Sequence, residues 1–510
     1  MKSSVQVLKF GGTSVGNGER IRRVAHIVAN TFAHPSEPFP AIIVSAMAKV
    51  TDQLLRIAGH VCAGEQDAYE HELQTLKHKH LDAVDKAVYQ QERRADLRKQ
   101  LETAFCVLEE DVATLRRHVG TQSIGSTVDA LAGRSSLRPY VAAIAAWGER
   151  LSVLLVAASV ADMGIPAVPV REEIIITGQI HSELATTLGA AIGADPLPEE
   201  TRANARAMLL PLLEQQIVPI AAGFIGRAAS GGASTLGRNG SDYSATVIGE
   251  AIDCVEVSIY TDVDGVLTAD PRLVMNARLL SRLSYAEAAR LSWFGAKVLH
   301  PRTLIPIAHR NIPVRVRNTF HPQNRGTVVG PEGRLRSGAS AITVRRHLAL
   351  VTVENTDLFG APENAGQVFA LAARAGAAPV AICSSSGHHL SFVVEEQGAE
   401  TVVAFLQQEM AALSSSPQST WRVRSRSGLA ACACIGSGFT ADPMSPARAI
   451  SALARERIPV ITQGASELGI TLIVEDSDSE RALRCLHRDL IAPVIPLVRH
   501  TVQEKRRGAL

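Results

Sequence analysis

Short apolar runs ending at glycine or a small polar residue recur between helix-like stretches from residue 5 to about residue 330, and no other feature limits the fold as tightly. Val5 to Phe10 runs into Gly11-Gly12-Thr13-Ser14, and a helical pattern follows from about Glu19 to Asn30 with Ile21, Val24, Ile27 and Val28 on one face. Ala41 to Ser45, Ala167 to Pro169, Ile217 to Ala222 and Val255 to Thr261 repeat the strand pattern. Continuous apolar runs mean strands covered on both faces, the condition of a parallel sheet between helix layers. Residues 52–118 are rich in Leu, Gln, Glu, Lys and His without proline and read as helices, as does Ser152 to Ala161. The expected fold is α/β, a three-layer αβα domain over residues 1–330. Aromatic residues are only 4%, so the cores must be built from Ala, Val, Leu and Ile.

The composition changes after Gly330. Residues 331–340 read as a linker. Strands are expected at Leu348 to Glu354, Pro379 to Cys383 and Leu390 to Val394, with a helix at Asn364 to Ala375. A second set follows: strands at Ala431 to Ile435, Pro459 to Thr462 and Gly469 to Val474, with a helix at Pro446 to Arg455. Two βαββ units at a spacing of about 80 residues imply two similar small modules, 341–425 and 426–500. The Ser- and Arg-rich stretch Ser414 to Arg426 reads as an exposed connection between them. Modules this small must pair sheet edges or helix faces with a partner, and the length of that connection favours pairing across two chains.

Lys plus Arg number 52 against 50 Asp plus Glu, a net charge of +2. That balance gives no electrostatic reason to expect nucleic acid or an anionic membrane as the main partner. The seven cysteines are odd in number and dispersed, so a disulfide scaffold is not expected. Cys432 and Cys434 lie in the apolar run Leu429 to Ile435, where alternate strand residues facing a core explain their spacing. No apolar N-terminal region follows Met1-Lys2-Ser3-Ser4, and charges interrupt every apolar stretch. The chain reads as soluble and cytoplasmic.

Three glycine-containing turns carry candidate chemistry. Lys9 stands at a strand end beside Gly11-Gly12, where backbone N–H groups and a helix N-terminus can receive phosphate oxygens and a lysine can neutralise a transferring phosphoryl group. An ordinary tight turn would use the same glycines. Gly237-Arg238-Asn239-Gly240-Ser241-Asp242 puts a guanidinium, a hydroxyl and a carboxylate ahead of a helix from Tyr243 to Ala251. Arg can hold a carboxylate bidentately and Asp can orient a cation; capping by Ser241 would account for part of the same pattern. Thr261-Asp262-Val263-Asp264-Gly265 closes a buried strand at its carboxyl end, where open α/β sheets bind ligands. It lacks the remaining acidic positions of a calcium loop. Gly295-Ala296-Lys297 offers another lysine beside a glycine.

Other patterns carry less. His487-Arg488-Asp489-Leu490 matches the start of a protein-kinase catalytic loop, but the Asn and Asp-Phe-Gly that should follow are missing, so it reads as a solvated helix face. No G-x-x-x-x-G-K-[ST] and no G-x-G-x-x-G after a strand occurs. His71, His78 and His80 read as surface residues of a polar helical stretch that also carries Lys77 and Lys79.

Taken in order, Lys9 to Val15, Gly148-Glu149-Arg150-Leu151-Ser152, Gly237 to Asp242, Thr261-Asp262 with Asp270-Pro271-Arg272, and Phe294-Gly295-Ala296-Lys297-Val298-Leu299-His300-Pro301 resemble aspartate kinase. The stretch Phe294 to Gly330 is especially similar to the kinase part of bifunctional aspartate kinase–homoserine dehydrogenases, and the modules after residue 340 resemble paired ACT domains. The resemblance implies an amino-acid-kinase fold and transfer of a phosphoryl group from MgATP to L-aspartate, giving 4-phospho-L-aspartate on the way to lysine, threonine and methionine. It implies that Lys9 stabilises the transferring group and Asp242 holds Lys9 or the phosphate array in place. Gly11, Gly12 and Ser14 would shape the phosphate loop, and Thr261, Asp262, Leu267, Arg272, Lys297 and Val298 would line the nucleotide. Arg238 and Glu149 would take the α-carboxylate and ammonium of aspartate, with Ser45, Thr51, Asn239, Gly240 and Ser241 nearby. Mg²⁺ would be held mainly through the phosphates.

The chain departs from the family pattern at Leu267, where a Tyr usually lies beside the adenine. Val380 to Ser386 lacks the Asp, Asn or Gln often used to grip an effector, whereas Gln463-Gly464-Ala465-Ser466-Glu467 is kept in the second module. The resemblance also implies a homodimer or higher oligomer through the ACT modules, with threonine or lysine as a feedback effector. Two other readings share these residues: an amino-acid sensor without catalysis, and a related kinase acting on glutamate or a nucleotide. The Arg238 and Glu149 pair favours a free amino acid.

Overall fold

The computed structural model describes residues 4–120, 135–180, 193–237, 239–296, 299–333, 338–355, 365–386, 389–412, 421–439 and 441–491. The chain divides into two units, Met1–Leu267 with Arg278–Arg334, and Thr268–Ala277 with Leu335–Leu510. In chain order the strands of the first unit are β1 (Val5–Phe10), β2 (Phe39–Val44), β3 (Ala167–Pro169), β4 (Ile176–Ile180), β5 (Ala194–Pro196) and β6 (Val218–Ala222). They continue with β7 (Ile225–Ala228), β8 (Ala233–Thr235), β9 (Glu256–Thr261), β10 (Arg282–Ser284), β11 (Val314–Asn318) and β12 (Thr327–Gly330).

The main sheet has the order β10-β12-β11-β9-β1-β2-β6-β3. β1 lies at its centre and runs parallel to both neighbours, β2 and β9. Every residue of β2 is buried, as its unbroken apolar sequence requires for a strand covered on both faces. The sheet turns antiparallel only where β12 joins β11. A smaller sheet, β5-β4-β7-β8, lies beside it in the same unit.

Residues 52–118 fold as the helices Val50–Ala63, Gln66–Ala87 and Gln91–Val119. The last buries Leu97, Leu101, Phe105, Leu108, Val112 and Leu115, an i, i+4, i+8 stripe that makes one apolar face. His80 is a correction to the surface reading. It is fully buried, its Nδ1 donates to the Leu76 carbonyl at 2.8 Å and its ring meets Phe105 edge-on at 5.8 Å. Burial pushes its pKa down to about 4, so it sits in the core as a neutral imidazole. His71 and His78 are exposed as expected. The stretch Arg138–Ala161 is long and apolar enough to cross a membrane by composition, but 83% of its most apolar window is buried inside the protein. Its second helix, Trp147–Ala161, is a core element, apolar nearly all round.

Asp162, at the end of that helix, ties three segments together. Its carboxylate accepts from the backbone N–H of Tyr89 and Gln90 at 3.0 and 2.9 Å and from Arg22 at 2.5 Å, with its side chain 1% exposed. Asp162→Ala would leave two N–H groups and a guanidinium without that partner, and should cost about 3 kcal/mol in urea unfolding. Gly18, opening the helix Gly18–Ala33, lies so close to the next layer that a Cβ would stand 2.3 Å from the Ala83 carbonyl oxygen.

The second unit departs from two sequential βαββ repeats. Its strands are β13 (Ala341–Asn355), β14 (Ala381–Ser386), β15 (His389–Glu395), β16 (Trp421–Ile435), β17 (Thr462–Ser466) and β18 (Gly469–Glu475), in the order β14-β15-β13-β16-β18-β17. β13 and β16 are long and antiparallel, and each serves both modules. Leu348–Glu354 pairs with β15, and Leu350–Asn355 pairs with Trp421–Arg426, closing a βαββαβ module with the helices Ala365–Arg374 and Ala399–Ala412. Ala341–Arg345 pairs with Ala431–Ile435, which also pairs with β18. The second module, with the helices Met444–Arg455 and Ser479–Leu490, therefore takes its last strand from the start of the segment, and the first module is inserted within it.

Several expectations change as a result. The division at 425/426 cuts through β16. Trp421–Arg426 is paired strand rather than exposed connection, and residues 413–420 lie outside the described residues. The strands expected at Pro379 to Cys383 and Pro459 to Thr462 begin two to three residues later. Ser340, at the end of the expected linker, donates its N–H to the Ile435 carbonyl. Within the chain the two modules share one sheet through β13 and β16. Their outer strands also approach each other, with Gly464 below the Ile382 carbonyl and Cys383 hydrogen-bonded to Thr462.

Thr268–Ala277 also belongs to this unit rather than to a continuous 1–330 domain. Ala269 and Val274 enter the apolar cluster that contains Cys432, Cys434 and Leu486, as expected for the two cysteines. The Thr268 hydroxyl meets His487 Nε2 at 2.9 Å, and the Thr268 carbonyl accepts from Ile342 N–H. His487 is thus buried, a correction to the solvated-face reading, while Arg488 on the same helix pairs outward with Glu456.

Candidate active site

The parallel register of β1 with β9 and β2 brings the loops after all three to one end of the sheet. Lys9 stands at that end of β1, 7% exposed, and its Nζ lies 2.5 Å from Asp242 Oδ1. Asp242 is in the first turn of the helix Gly240–Ala251, preceded by Asn239 in the left-handed conformation at φ 58°. A Cβ on Gly11 would stand 3.3 Å from Lys9 Nζ, and one on Gly12 would stand 3.0 Å from the Ala46 carbonyl oxygen. The two glycines keep open the space in front of the lysine.

Ser241 Oγ donates to Ser45 Oγ at 3.2 Å, linking the loop after β2 to the helix that carries Asp242. A Cβ on Gly240 would stand 2.8 Å from the Phe224 ring, which explains a glycine there. Thr51 is half-buried in the first turn of the helix Val50–Ala63. Glu149 is 1% exposed in the first turn of the helix Trp147–Ala161. Burial raises its pKa to about 8, against the opposing pull of the Ala46 backbone N–H, its own N–H and the Lys9 charge. Its Oε2 is buried without a hydrogen-bond partner. A buried carboxyl oxygen with nothing to accept from is the costly kind of polar group, and a cationic ligand group would satisfy it.

Thr261 and Asp262 lie at the same end of the sheet, at the close of β9. The Tyr260 carbonyl beside them accepts from Gly11 N–H. Ser14 departs from a simple phosphate-loop role. It is fully buried, and its hydroxyl is shared between Thr319 Oγ1 at 2.6 Å and the Tyr260 carbonyl at 3.3 Å, so the loop is braced by that side chain. Leu267 is half-buried and bridges to Leu279. Arg272 lies in the other unit, its exposed guanidinium bidentate to Asp270. Arg238, Lys297 and Val298 lie outside the described residues.

Sequence reasoning missed three supporting groups. Lys79 reaches the Ala48 carbonyl at 2.6 Å and so fixes the loop after β2. Thr319 braces Ser14, and Gly223 lets Ser241 pack where a Cβ would stand 2.9 Å away. None has a local motif, because each acts on a segment distant in sequence.

A central parallel sheet with a lysine, a glycine pair and a helix N-terminus at its loop-bearing end defines an α/β protein built to receive an anionic group. Residues 4–318 match the model of the amino acid kinase family, and the chain belongs to that family. Residues 433–490 match an ACT domain, which covers the second module apart from the strand it takes from Ala341–Arg345 and the first residues of its β16 segment. A bifunctional aspartokinase/homoserine dehydrogenase 2 of Zea mays is 33% identical over 94% of this chain and 50% of its own length. The chain thus spans about half of that relative. Aspartokinase 1 of Arabidopsis thaliana is 29% identical over 94% of this chain and 79% of its own length. The structure of E. coli aspartokinase III in complex with aspartate and ADP superposes with a TM-score of 0.73 at 26% identity, covering 96% of this chain and all of that one.

Proposed function

We propose that the chain is an aspartate kinase, transferring the γ-phosphoryl group of MgATP to the side-chain carboxylate of L-aspartate. The observation that carries this reading is Glu149: a fully buried carboxyl with one unpartnered oxygen, one loop away from a lysine paired to an aspartate. A phosphoryl acceptor with a free ammonium group supplies what that oxygen lacks. The names of the relatives and the aspartate and ADP bound by the E. coli enzyme point the same way.

In this reading Lys9 faces the charge that develops on the transferring group, and Asp242 holds its ammonium in place. Gly11 and Gly12 admit the phosphates to backbone N–H groups, with Thr261 and Asp262 on the nucleotide side. Ser45, Thr51, Ser241, Asn239 and Gly240 shape the aspartate side, and Arg238 clamps the α-carboxylate. The acceptor carboxylate is already ionised, so no general base is needed; positioning and charge neutralisation supply the rate. Mg²⁺ would be held mainly by the phosphates, and no group of three or more His, Cys, Asp or Glu side chains suited to a metal occurs among the described residues. Lys297, Val298 and Leu267 remain the proposed nucleotide contacts.

The ACT modules would bind threonine or lysine as a feedback effector and join chains into a homodimer or larger assembly, in a cytoplasmic enzyme. The E. coli structure with lysine and aspartate supports the effector class. The decisive experiment is a coupled ADP-release assay with a panel of amino acids, in which aspartate alone should support rapid turnover. Preference for glutamate or a nucleotide would refute the reading. Arg238→Ala should raise the aspartate KM by about 10²-fold, as expected for losing a bidentate charge pair, with ATP affinity by calorimetry nearly unchanged. Collapse of ATP affinity would move Arg238 to the nucleotide side.

A further inference from the structure

Apart from the proposed aspartate site, the first unit holds a cavity of about 440 Å³ between the helices Gln91–Val119 and Trp147–Ala161. That volume falls in the range of small-molecule sites, about 300–1,000 Å³. The helix Trp147–Ala161 serves both places. Trp147, Arg150 and Leu154, at i, i+3 and i+7, line the cavity, while Glu149 points to the other side.

The cavity's chemistry is that of an amphipathic anion. Its walls are mostly apolar, with two guanidinium groups among them. Arg150 pairs with Glu173 at 2.5 Å and lies 5.1 Å from the Trp147 ring centre. Arg171 meets only the neutral amide oxygen of Gln100, at 3.1 Å, and no carboxylate among the described residues. One positive charge is therefore left over beside an apolar hollow, and Val107 at the rim is 41% exposed.

Two walls are one residue away from the aspartate side. Gly148, between Trp147 and Glu149, packs so tightly that a Cβ would stand 2.8 Å from the Ala46 side chain. Ala46 in turn gives its backbone N–H to Glu149. Ala222 lines the cavity, and Gly223 after it lies directly under Ser241. The first turn of Trp147–Ala161 therefore has no slack toward the loop after β2 at Gly148.

We infer that this cavity is a second small-molecule site, for a monocarboxylate with an apolar or aromatic body, and that its occupation weakens aspartate binding through the first turn of Trp147–Ala161. The inference rests on the aspartate kinase reading for its second half only. By linkage, aspartate must weaken the occupant by the same factor.

The test uses the full chain with 4-phenylbutyrate as probe and its neutral amide as control. Calorimetry should give equimolar binding of the acid, with the amide weaker by about tenfold. Arg171→Gln should remove that difference, and Val107→Trp, which fills the rim from an exposed position, should abolish binding. Saturating acid should raise the aspartate KM in the wild-type chain and not in Val107→Trp, whose basal turnover stays intact. Equal affinity for acid and amide, binding insensitive to both substitutions, or an unchanged aspartate KM would overturn the inference. So would loss of self-association in Val107→Trp without any probe binding, which would seat a second copy there. The calorimetric arm needs no turnover, so failure of the aspartate reading is seen in the ADP-release assay instead.

Discussion

Lys9→Ala will lower kcat by about 10²–10³-fold, the usual loss when one charged donor is withdrawn from a developing anion. The size of the effect follows from where the lysine stands. The residue is 7% exposed, its ammonium fixed by Asp242 at 2.5 Å beside the space that Gly11 and Gly12 leave open. Arg20 and Lys79, the nearby described cations, are turned to the Thr13 and Ala48 carbonyls and brace the loops instead. The aspartate KM should change far less than kcat, because the charge it meets grows on the phosphoryl group in the transition state. Asp242→Asn should give a smaller loss, since the lysine remains but its aim is relaxed. Wild-type turnover in Lys9→Ala, measured by ADP release, would sink the assignment.

The residues that make this prediction were legible because their signals are local. The apolar run of β1, the glycines after it and the helix beyond are contiguous, and strand, turn and helix N-terminus follow from neighbours in sequence. The same holds for Cys432 and Cys434, whose alternation on β16 alone places them on the core face. What the sequence concealed is non-local. β13 and β16 each pass through two modules, with register shifts between Arg345, Leu348 and Leu350, and His347 at φ 59°. Nothing in Ala341–Arg345 announces that its partner lies about 90 residues ahead, because a strand's own pattern fixes its faces and not its neighbour. Thr268–Ala277 was read with the nucleotide motif for the same reason, although Ala269 and Val274 complete an apolar cluster built by residues after 340. His80 and His487 failed differently: each sits among polar or charged neighbours, but helical rotation turns it inward while His78 and Arg488 turn out.

Glu149 should make aspartate binding release a proton. Free of ligand, its carboxyl has a pKa of about 8, raised from 4.5 by burial, so at pH 7 it is mostly protonated. An aspartate ammonium beside it favours the ionised form. Calorimetry in buffers of different ionisation enthalpy at pH 7 should then show close to one proton released per aspartate, falling toward zero above pH 9. Glu149→Gln should abolish that release and raise the aspartate KM by about 10²-fold, since a buried charge pair is replaced by a neutral contact. The sign for stability runs the other way from a salt-bridged carboxylate. A folded pKa raised above the unfolded one means that the folded chain holds the extra proton, so the contribution is fully present below pH 4.5 and is lost as pH rises toward 8. Glu149→Gln, which keeps the shape without the titration, should therefore flatten the fall in unfolding free energy between those pH values even as it cripples aspartate uptake. Because the two readouts move in opposite directions, a merely misfolded variant cannot imitate the result. Unchanged proton release in Glu149→Gln would assign the titration to another group and remove Glu149 from the ammonium site.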